Sequence, residues 1–555
     1  MTSINQLLLF FSLLPLFSSS QIELQKADLI ITNATIWTGN EDQPWAEAMA
    51  ISGDSIISIG SMQEISNYTG KETDVIDISG KFVTPGFIDS HVHLITGGFN
   101  LNSVQLRDAK TPEEFKLRIE DYAKTIPKGT WILGGDWDHE NWGGELPTKE
   151  WIDDVTRDNP VFITRLDGHM SLANSVALEL AGVDRNTPDI DGGEIKRNAN
   201  GDVTGLLKDN ADRLIWRFVP KPSEEEYENA LYAAMNYVAS NGVTSVHHMS
   251  ASSHIQVLKK VEAKGELITR IYAMYPLEEW ESLSEEIEQN GRGNNWLKVG
   301  GLKGFVDGSL GSHTAVFFES YTDTPGENGL YVTPMNTIYK YVKAADRANL
   351  QVMIHAIGDK ANHDLLNIFE KVEKENGPKD RRFRIEHAQH LTSDDILRFS
   401  ELEIIPSMQP YHLIDDGRWA EKLIGPERIK TTYAFNSLLD VNTIIAFGSD
   451  WFVAPPTPLE GIYAAVTRRT LDDKNPDGWV ADQKITVEQA LIAYTKNAAY
   501  AAFEEDIKGT LEPGKLADFV IISEDLTKVD PVRIRELKIL ETYVGGKKVF
   551  DSKEK

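Results

Sequence analysis

Short apolar strands alternate with amphipathic helices after Pro85-Gly86, and this alternation is the feature that most restricts the fold of the chain. Helical stretches separate the strands, and two of them begin with a capping box, at Ser223 and at Thr486. Strands that alternate with helices of this length indicate βα units and a parallel sheet. About eight such units predict an α/β fold, a (β/α)8 TIM barrel. The clearest strand-like runs are VFITRL (161–166), VTSVHHM (243–249), VMIHAIG (352–358), RIEHAQ (384–389), EIIPSM (403–408) and TIIAFGSDW (443–451).

The two ends of the chain follow a different pattern, in which apolar and polar residues alternate between turn signals. It runs through residues 21–85 and returns in residues 506–555, in GTLEPGKLADFVIIS and ILETYVGGKKVF. Such alternation is typical of short antiparallel strands. We therefore predict a small β-sandwich lobe built from both chain ends. It flanks a barrel at 86–505 that carries an insertion at about 97–215.

Residues 1–20 have the pattern of a signal peptide. An apolar run at 7–17 (LLLFFSLLPLF) is followed by three serines. The run is too short to span a bilayer, and small residues after it suit cleavage near Ser20. We expect export to the outside of the cell, the periplasm or the ER lumen, depending on the host. Residues 1–20 contain no Lys or Arg, so an uncleaved membrane anchor is an open alternative. The triplets at Asn33 and Asn67 could accept N-glycans in a eukaryote.

The charge balance and the absence of cysteine exclude several classes of protein. The chain has 56 Lys and Arg against 85 Asp and Glu, a net charge of −29, whereas nucleic-acid binding needs basic surfaces. Without cysteine there is no disulfide, thiolate metal site or cysteine nucleophile. Any metal must be held by His, carboxylate or modified Lys. We expect a small-molecule partner, with no nucleic acid and no membrane after cleavage; a homo-oligomer stays open.

Histidine and aspartate side chains stand at the ends of several predicted barrel strands. In FIDSHVH (87–93), His91 and His93 point the same way on a strand and can bind one metal together. His355 ends VMIHA, His387 ends RIEHA and Asp450 ends IIAFGSD. Because active sites of these barrels lie at the carboxyl ends of the strands, we expect one site. Imidazole and carboxylate suit a divalent cation such as Zn²⁺.

The order of these motifs resembles the amidohydrolase superfamily of metal-dependent hydrolases, in its formamide-deformylase-like branch, amidohydrolase family 3. The resemblance runs from about Ala27 to Val549, through PGFIDSHVHL, WILGGDWDHENW, KGFVDGSLGSHTA, IHAIGDKAN, RIEHAQHL, FGSDW and GTLEPGKLADFVII. It implies a carbamate on Lys303, formed from a neutral amine and CO2, as a bridging ligand. It also implies one or two divalent metal ions, with Zn²⁺ as the expected metal. The ligands would be His91, His93, Lys303, His355, His387 and Asp450.

The resemblance also implies a function. The expected reaction is cleavage of an amide-type C–N bond, non-peptide or in a small N-acyl or N-formyl compound, by metal-activated water. Asp450 is then the catalytic residue that takes the proton of the water and passes it to the departing amine. Three alternatives stay open: a hydrolase of an ester or cyclic amide, an exported barrel that binds a ligand without catalysis, and a glycosidase. The glycosidase is disfavoured because His, not paired Glu, is clustered.

Five further residues are candidate substrate contacts. Asp136, Trp137 and His139 follow the first barrel strand in DWDHENW (136–142), where they could shape a pocket or anchor the loop by packing. His169 in RLDGH could hydrogen-bond the substrate or cap the next helix. His313 stands where the resemblance implies Arg, in a loop that is expected to face the substrate.

Overall fold

The barrel is one sheet of eight strands whose neighbours are all parallel. The computed structural model describes residues 25–554. A parallel bridge between Val92 and Trp451 joins the first strand to the chain after the last, so the sheet nearly closes. The predicted α/β barrel is confirmed. Numbered one to eight in chain order, the barrel strands are Phe87–Val92, Val243–His248, Arg270–Pro276, Leu297–Phe305, Gln351–Ala356, Arg384–His387, Ile405–Met408 and Ala446–Phe447.

Amphipathic helices connect the barrel strands. Glu224–Ser240 precedes strand two, begins with the predicted capping box at Ser223 and buries Leu231, Met235 and Val238 along one face. The capping box at Thr486 is also present. The helices after strand two are Ser252–Ala263, Trp280–Asn290, Met335–Arg347, Asp359–Asn376, Ser393–Glu401, Pro410–Asp416, Ala420–Arg428, Phe435–Asp440, Pro458–Thr467, Val487–Tyr494 and Lys496–Tyr500.

A second sheet is inserted between barrel strands one and two. It includes the run VFITRL, so the prediction that this run alternates with helices as a barrel strand is wrong. Its helices are Leu94–Asn100, Pro112–Ala123, Ser175–Ala181 and Arg213–Trp216. Its six strands, parallel and antiparallel, are Val104–Gln105, Ile132–Trp137, Val161–Arg165, Met170–Ala173, Gly193–Arg197 and Val203–Asp209.

Strands from both chain ends form the predicted lobe. Phe82–Pro85 pairs antiparallel with Phe519–Ile522. Ile31, Met49 and Tyr543 pack in its buried core. The four-stranded sheet contains Leu29–Thr32, Ala48–Ser52, Ser55–Gly60 and Asp74–Asp77, and the short helix Met62–Ile65 follows its third strand. The six-stranded sheet contains Thr35–Trp37, Trp45–Ala46, Phe82–Pro85, Phe519–Ile522, Ile539–Val544 and Lys547–Asp551.

The predicted signal peptide at residues 1–20 lies outside the described residues, and export stays a prediction. Asn33 and Asn67 are both exposed. Among residues 25–554, no helix has the length and apolar character needed to cross a membrane.

A buried ion pair connects the lobe to the barrel. The Arg270 guanidinium on strand three donates to both carboxylate oxygens of Asp518, at 2.7 and 2.9 Å. Removing one partner of such a pair leaves a buried charge without compensation. We expect Asp518→Asn to lower the free energy of unfolding by about 3 kcal/mol, measured by denaturant titration. A free energy equal to that of the wild type would show that the pair does not stabilise the contact.

Candidate active site

The six predicted metal-site residues all lie at the carboxyl ends of barrel strands. His91 is the last but one residue of strand one and His93 follows that strand. Lys303 is near the end of strand four, and Asp450 follows strand eight. His355 and His387 occupy strands five and six. Every one of these side chains except His91 lines a single cavity with about 870 Å³ of empty space, and His91 lies fully buried beside it.

The Asp450 carboxylate is the centre of this cluster. Its Oδ1 is 3.3 Å from His91 Nε2 and 3.2 Å from His93 Nε2. Its Oδ2 is 4.0 Å from His387 Nδ1. Two groups of three residues, each with ligand atoms within 4.8 Å of one another, therefore share Asp450: one with His91 and His93, the other with His387 and His412. One shared carboxylate between two His pairs can hold one or two cations.

Lys303 and His355 lie next to these groups. Lys303 Nζ is 3.3 Å from His91 Nε2 and 4.7 Å from the centre of the Phe305 ring. The His355 ring is 4.5 Å from that of His387, but its Nε2 lies 3.0 Å from the carbonyl oxygen of Gly308. The structure thus brings both residues to the site, with the ring nitrogen of His355 turned to the backbone.

The protonation states suit a divalent cation. Burial lowers the pKa values of His91, His355 and His387 well below the usual range, so these rings are neutral and can donate a lone pair. Burial opposes ionisation of Asp450, but the neighbouring histidines, with a hydrogen bond from His93, hold its pKa below the usual range. Burial also lowers the pKa of Lys303 to about 8. Neutral imidazoles around an ionised carboxylate fit a metal such as Zn²⁺.

His169 is the predicted substrate contact that lines the cavity. It comes from the inserted sheet, and its Nδ1 is 2.6 Å from Asp209 Oδ1. Its ring centre is 5.0 Å from that of His355. Asp209 therefore fixes the His169 ring with one edge toward the metal-site residues.

The other four predicted substrate contacts do not line the cavity. Trp137 is fully buried in the inserted sheet and donates to the Ile163 carbonyl. Asp136 Oδ1 accepts from Asn100, and burial raises its pKa to about 6. Both side chains thus make contacts within the inserted region, and their role in substrate binding stays a prediction.

His139 and His313 are each held by another side chain. His139 Nδ1 accepts from Arg165 at 3.2 Å. His313 Nε2 is 3.1 Å from both oxygens of Asp323, so the loop faces the cavity while this side chain does not. Asp323 thus holds the His313 side chain away from the cavity, and a contact of His313 with substrate stays a prediction.

Sequence reasoning missed the outer wall of the cavity and His412. Arg165, buried in the inserted sheet, donates to Asp167 at 2.5 Å and to Asp138 at 3.0 Å. His412 lies on the helix Pro410–Asp416, directly after strand seven, and its position in QPYH behind a strand end was the available signal. The residues that complete the outer wall are Leu166, Leu310, Asp415, Asp416, Trp419, Phe452 and Val453.

Comparison with known proteins identifies the family. A profile described as the amidohydrolase family matches residues 74–550. The chain belongs to the amidohydrolase family. This amidohydrolase is 42% identical over 537 residues to Protein LONG AFTER FAR-RED 3 of Arabidopsis thaliana, covering 94% of this chain and 92% of the relative. It is 27% identical to the N-substituted formamide deformylase of Arthrobacter pascens, covering 94% of this chain and 98% of that enzyme.

A solved structure supports the same assignment. An uncharacterized metal-dependent hydrolase from Pyrococcus horikoshii OT3 matches this amidohydrolase with a TM-score of 0.73 and 29% identity. The match covers 91% of this chain and 99% of the other. The predicted membership of the amidohydrolases is confirmed, and the protein is a member of a metal-dependent hydrolase family.

Proposed function

We propose that this amidohydrolase cleaves an amide-type C–N bond, other than a peptide bond, in a small molecule. The observation that carries the proposal is the convergence of His93, His387, His412 and Asp450 on one cavity, with His91 buried beside it. The similarity to a formamide deformylase along nearly the whole chain favours an N-formyl or N-acyl substrate.

The proposed cofactor is one or two Zn²⁺ ions. His91, His93, His387 and Asp450 would hold them, with His355 and a carbamate on Lys303 as further ligands. When bound, such a cation lowers the pKa of a water molecule and polarises a carbonyl oxygen. His412 is a candidate ligand because its ring nitrogen belongs to the second group of three.

The protein's own residues would move the proton and hold the substrate. Asp450 is ionised and lies at the centre of the cluster, so its carboxylate would accept the proton of the attacking water. It would then deliver that proton to the departing nitrogen. His169, with Nδ1 held by Asp209, would present its other ring nitrogen to the substrate. Asp138 and residues 165–169 of the insertion line this side of the cavity.

The test is a substrate panel on protein stripped of metal and then loaded with Zn²⁺. We expect release of amine from N-formyl or N-acyl compounds, and loss of this activity with a chelator. Hydrolysis of esters or cyclic amides alone would show that the enzyme cleaves a different bond from the one proposed. Tight binding of panel compounds without turnover would favour a binding protein. Activity that survives complete removal of metal would contradict the proposed chemistry.

A further inference from the structure

A chain of buried polar side chains runs through the barrel interior behind His91. His91 Nδ1 contacts Glu386 Oε2, and both side chains are fully buried. Glu386 is on strand six, one residue before His387, so the contact crosses the barrel from strand one. A carboxylate at this depth is costly unless it is paired.

Arg384 supplies the pairing charge. Its Nη2 donates to Glu386 Oε2 at 3.1 Å, and its Nε lies 2.7 Å from Oε1 in an ion-pair contact without hydrogen-bond geometry. Two further hydrogen bonds hold the guanidinium: Nη1 contacts His247 Nδ1 at 2.8 Å, and Nη2 contacts Ser407 Oγ at 2.8 Å. Ser90 accepts from Nη2 through its carbonyl oxygen at 2.5 Å. The guanidinium is therefore held on several sides, and the Glu386 carboxylate cannot turn away without breaking this network.

This arrangement decides which ring nitrogen of His91 carries the proton. A neutral imidazole has one N–H, and an ionised carboxylate only accepts hydrogen bonds. Facing Glu386, Nδ1 must therefore be the donor, which leaves the lone pair on Nε2. That nitrogen is 3.3 Å from Asp450 Oδ1 and 3.3 Å from Lys303 Nζ, inside the cluster.

We propose that Glu386 is a positioning residue, which fixes His91 as the Nδ1–H tautomer and aims Nε2 at the metal, with Arg384 holding Glu386 in place. The inference rests on the metal centre of the proposed function and extends it to residues that touch neither metal nor substrate. Carboxylate partners of metal-binding histidines tune affinity through orientation and ligand basicity.

The decisive variant is Glu386→Gln. Arg384 presents N–H donors to the carboxylate, so the carboxamide oxygen of Gln should turn to Arg384 and its NH2 group to His91 Nδ1. The proton of His91 then moves to Nε2, which can no longer bind a metal. We expect Zn²⁺ affinity to fall about 10- to 100-fold, measured on metal-stripped protein by competition with a chromophoric chelator. The visible absorption spectrum of the Co²⁺-loaded protein should change in parallel, because the cation loses one nitrogen ligand.

A matched control is available at the other end of the barrel. Asp518→Asn also turns a buried, arginine-paired carboxylate into an amide, far from the site, at the Arg270 contact. It should lose stability and keep the Zn²⁺ affinity of the wild type. An equal loss of affinity in both variants would reduce the Glu386 effect to general destabilisation and overturn the inference.

A second variant covers the case in which Glu386→Gln does not fold. Arg384→Lys keeps the positive charge but loses the fork that holds the carboxylate, and it should weaken Zn²⁺ binding in the same titration. Unchanged affinity in the folded variants, with tight binding by the wild type, would overturn the positioning role and leave the proposed function standing. A wild type that binds no Zn²⁺ would contradict the metal centre itself.

Discussion

Asp450→Asn should reduce turnover by roughly 100-fold or more. The carboxamide keeps an oxygen at the same place, but it has no basic site that can take the proton of the attacking water. In the structure this carboxylate lies within 3.3 Å of two histidine ring nitrogens and stays ionised. It is therefore close to the candidate metal ligands and able to accept a proton, and the step requires both. The measurement is the turnover number on whichever panel substrate the wild type hydrolyses.

Metal content must be measured in the same samples, because Asp450 also belongs to both groups of candidate ligands. A variant that keeps its metal and loses turnover isolates the proton transfer. Asp364→Asn is the control, since Asp364 lies on a helix outside the cavity and pairs with Lys360. Wild-type turnover in Asp450→Asn, with the substitution confirmed by mass, would exclude the role.

The barrel and most of the metal cluster could be predicted because both depend on local patterns. A parallel strand buried on both faces is a continuous apolar run, and its last residues point into the site. His91, His387 and Asp450 are therefore recognisable from their position at strand ends. The prediction of a barrel strand failed for residues 161–166. They form a central strand of the inserted sheet, and a strand buried there is also a continuous apolar run.

The orientation of loop side chains could not be predicted, because it depends on distant partners. His313 turns to Asp323, and Trp137 enters the packed core of the insertion, although both stand in motifs that border the cavity. His412 joins the cluster from a helix, where no strand pattern draws attention to it. The Glu386 contact with His91 joins strands six and one, and only the closure of the barrel brings the two together.

Lys303→Ala should remove most of the bound metal and most of the activity while the barrel stays folded. Lys303 is buried, and burial lowers its pKa to about 8, so much of the amine is neutral near that pH and can react with CO2. Its Nζ lies 3.3 Å from His91 Nε2, where an ammonium beside a dication would be repelled. A carbamate replaces that positive charge by anionic oxygens, which divalent cations accept.

The control is Lys298→Ala, which shortens a lysine on the same strand whose Nζ contacts the backbone carbonyls of Ala502 and Phe503. This variant should keep its metal, so a loss confined to Lys303→Ala cannot come from damage to strand four. Acetate or propionate should restore part of the activity of Lys303→Ala by filling the space of the carbamate. Native mass spectrometry of the metal-loaded wild type should show the added mass of CO2. Full metal content and full activity in Lys303→Ala would refute the carbamate, and the centre would then be built from the histidines and Asp450 alone.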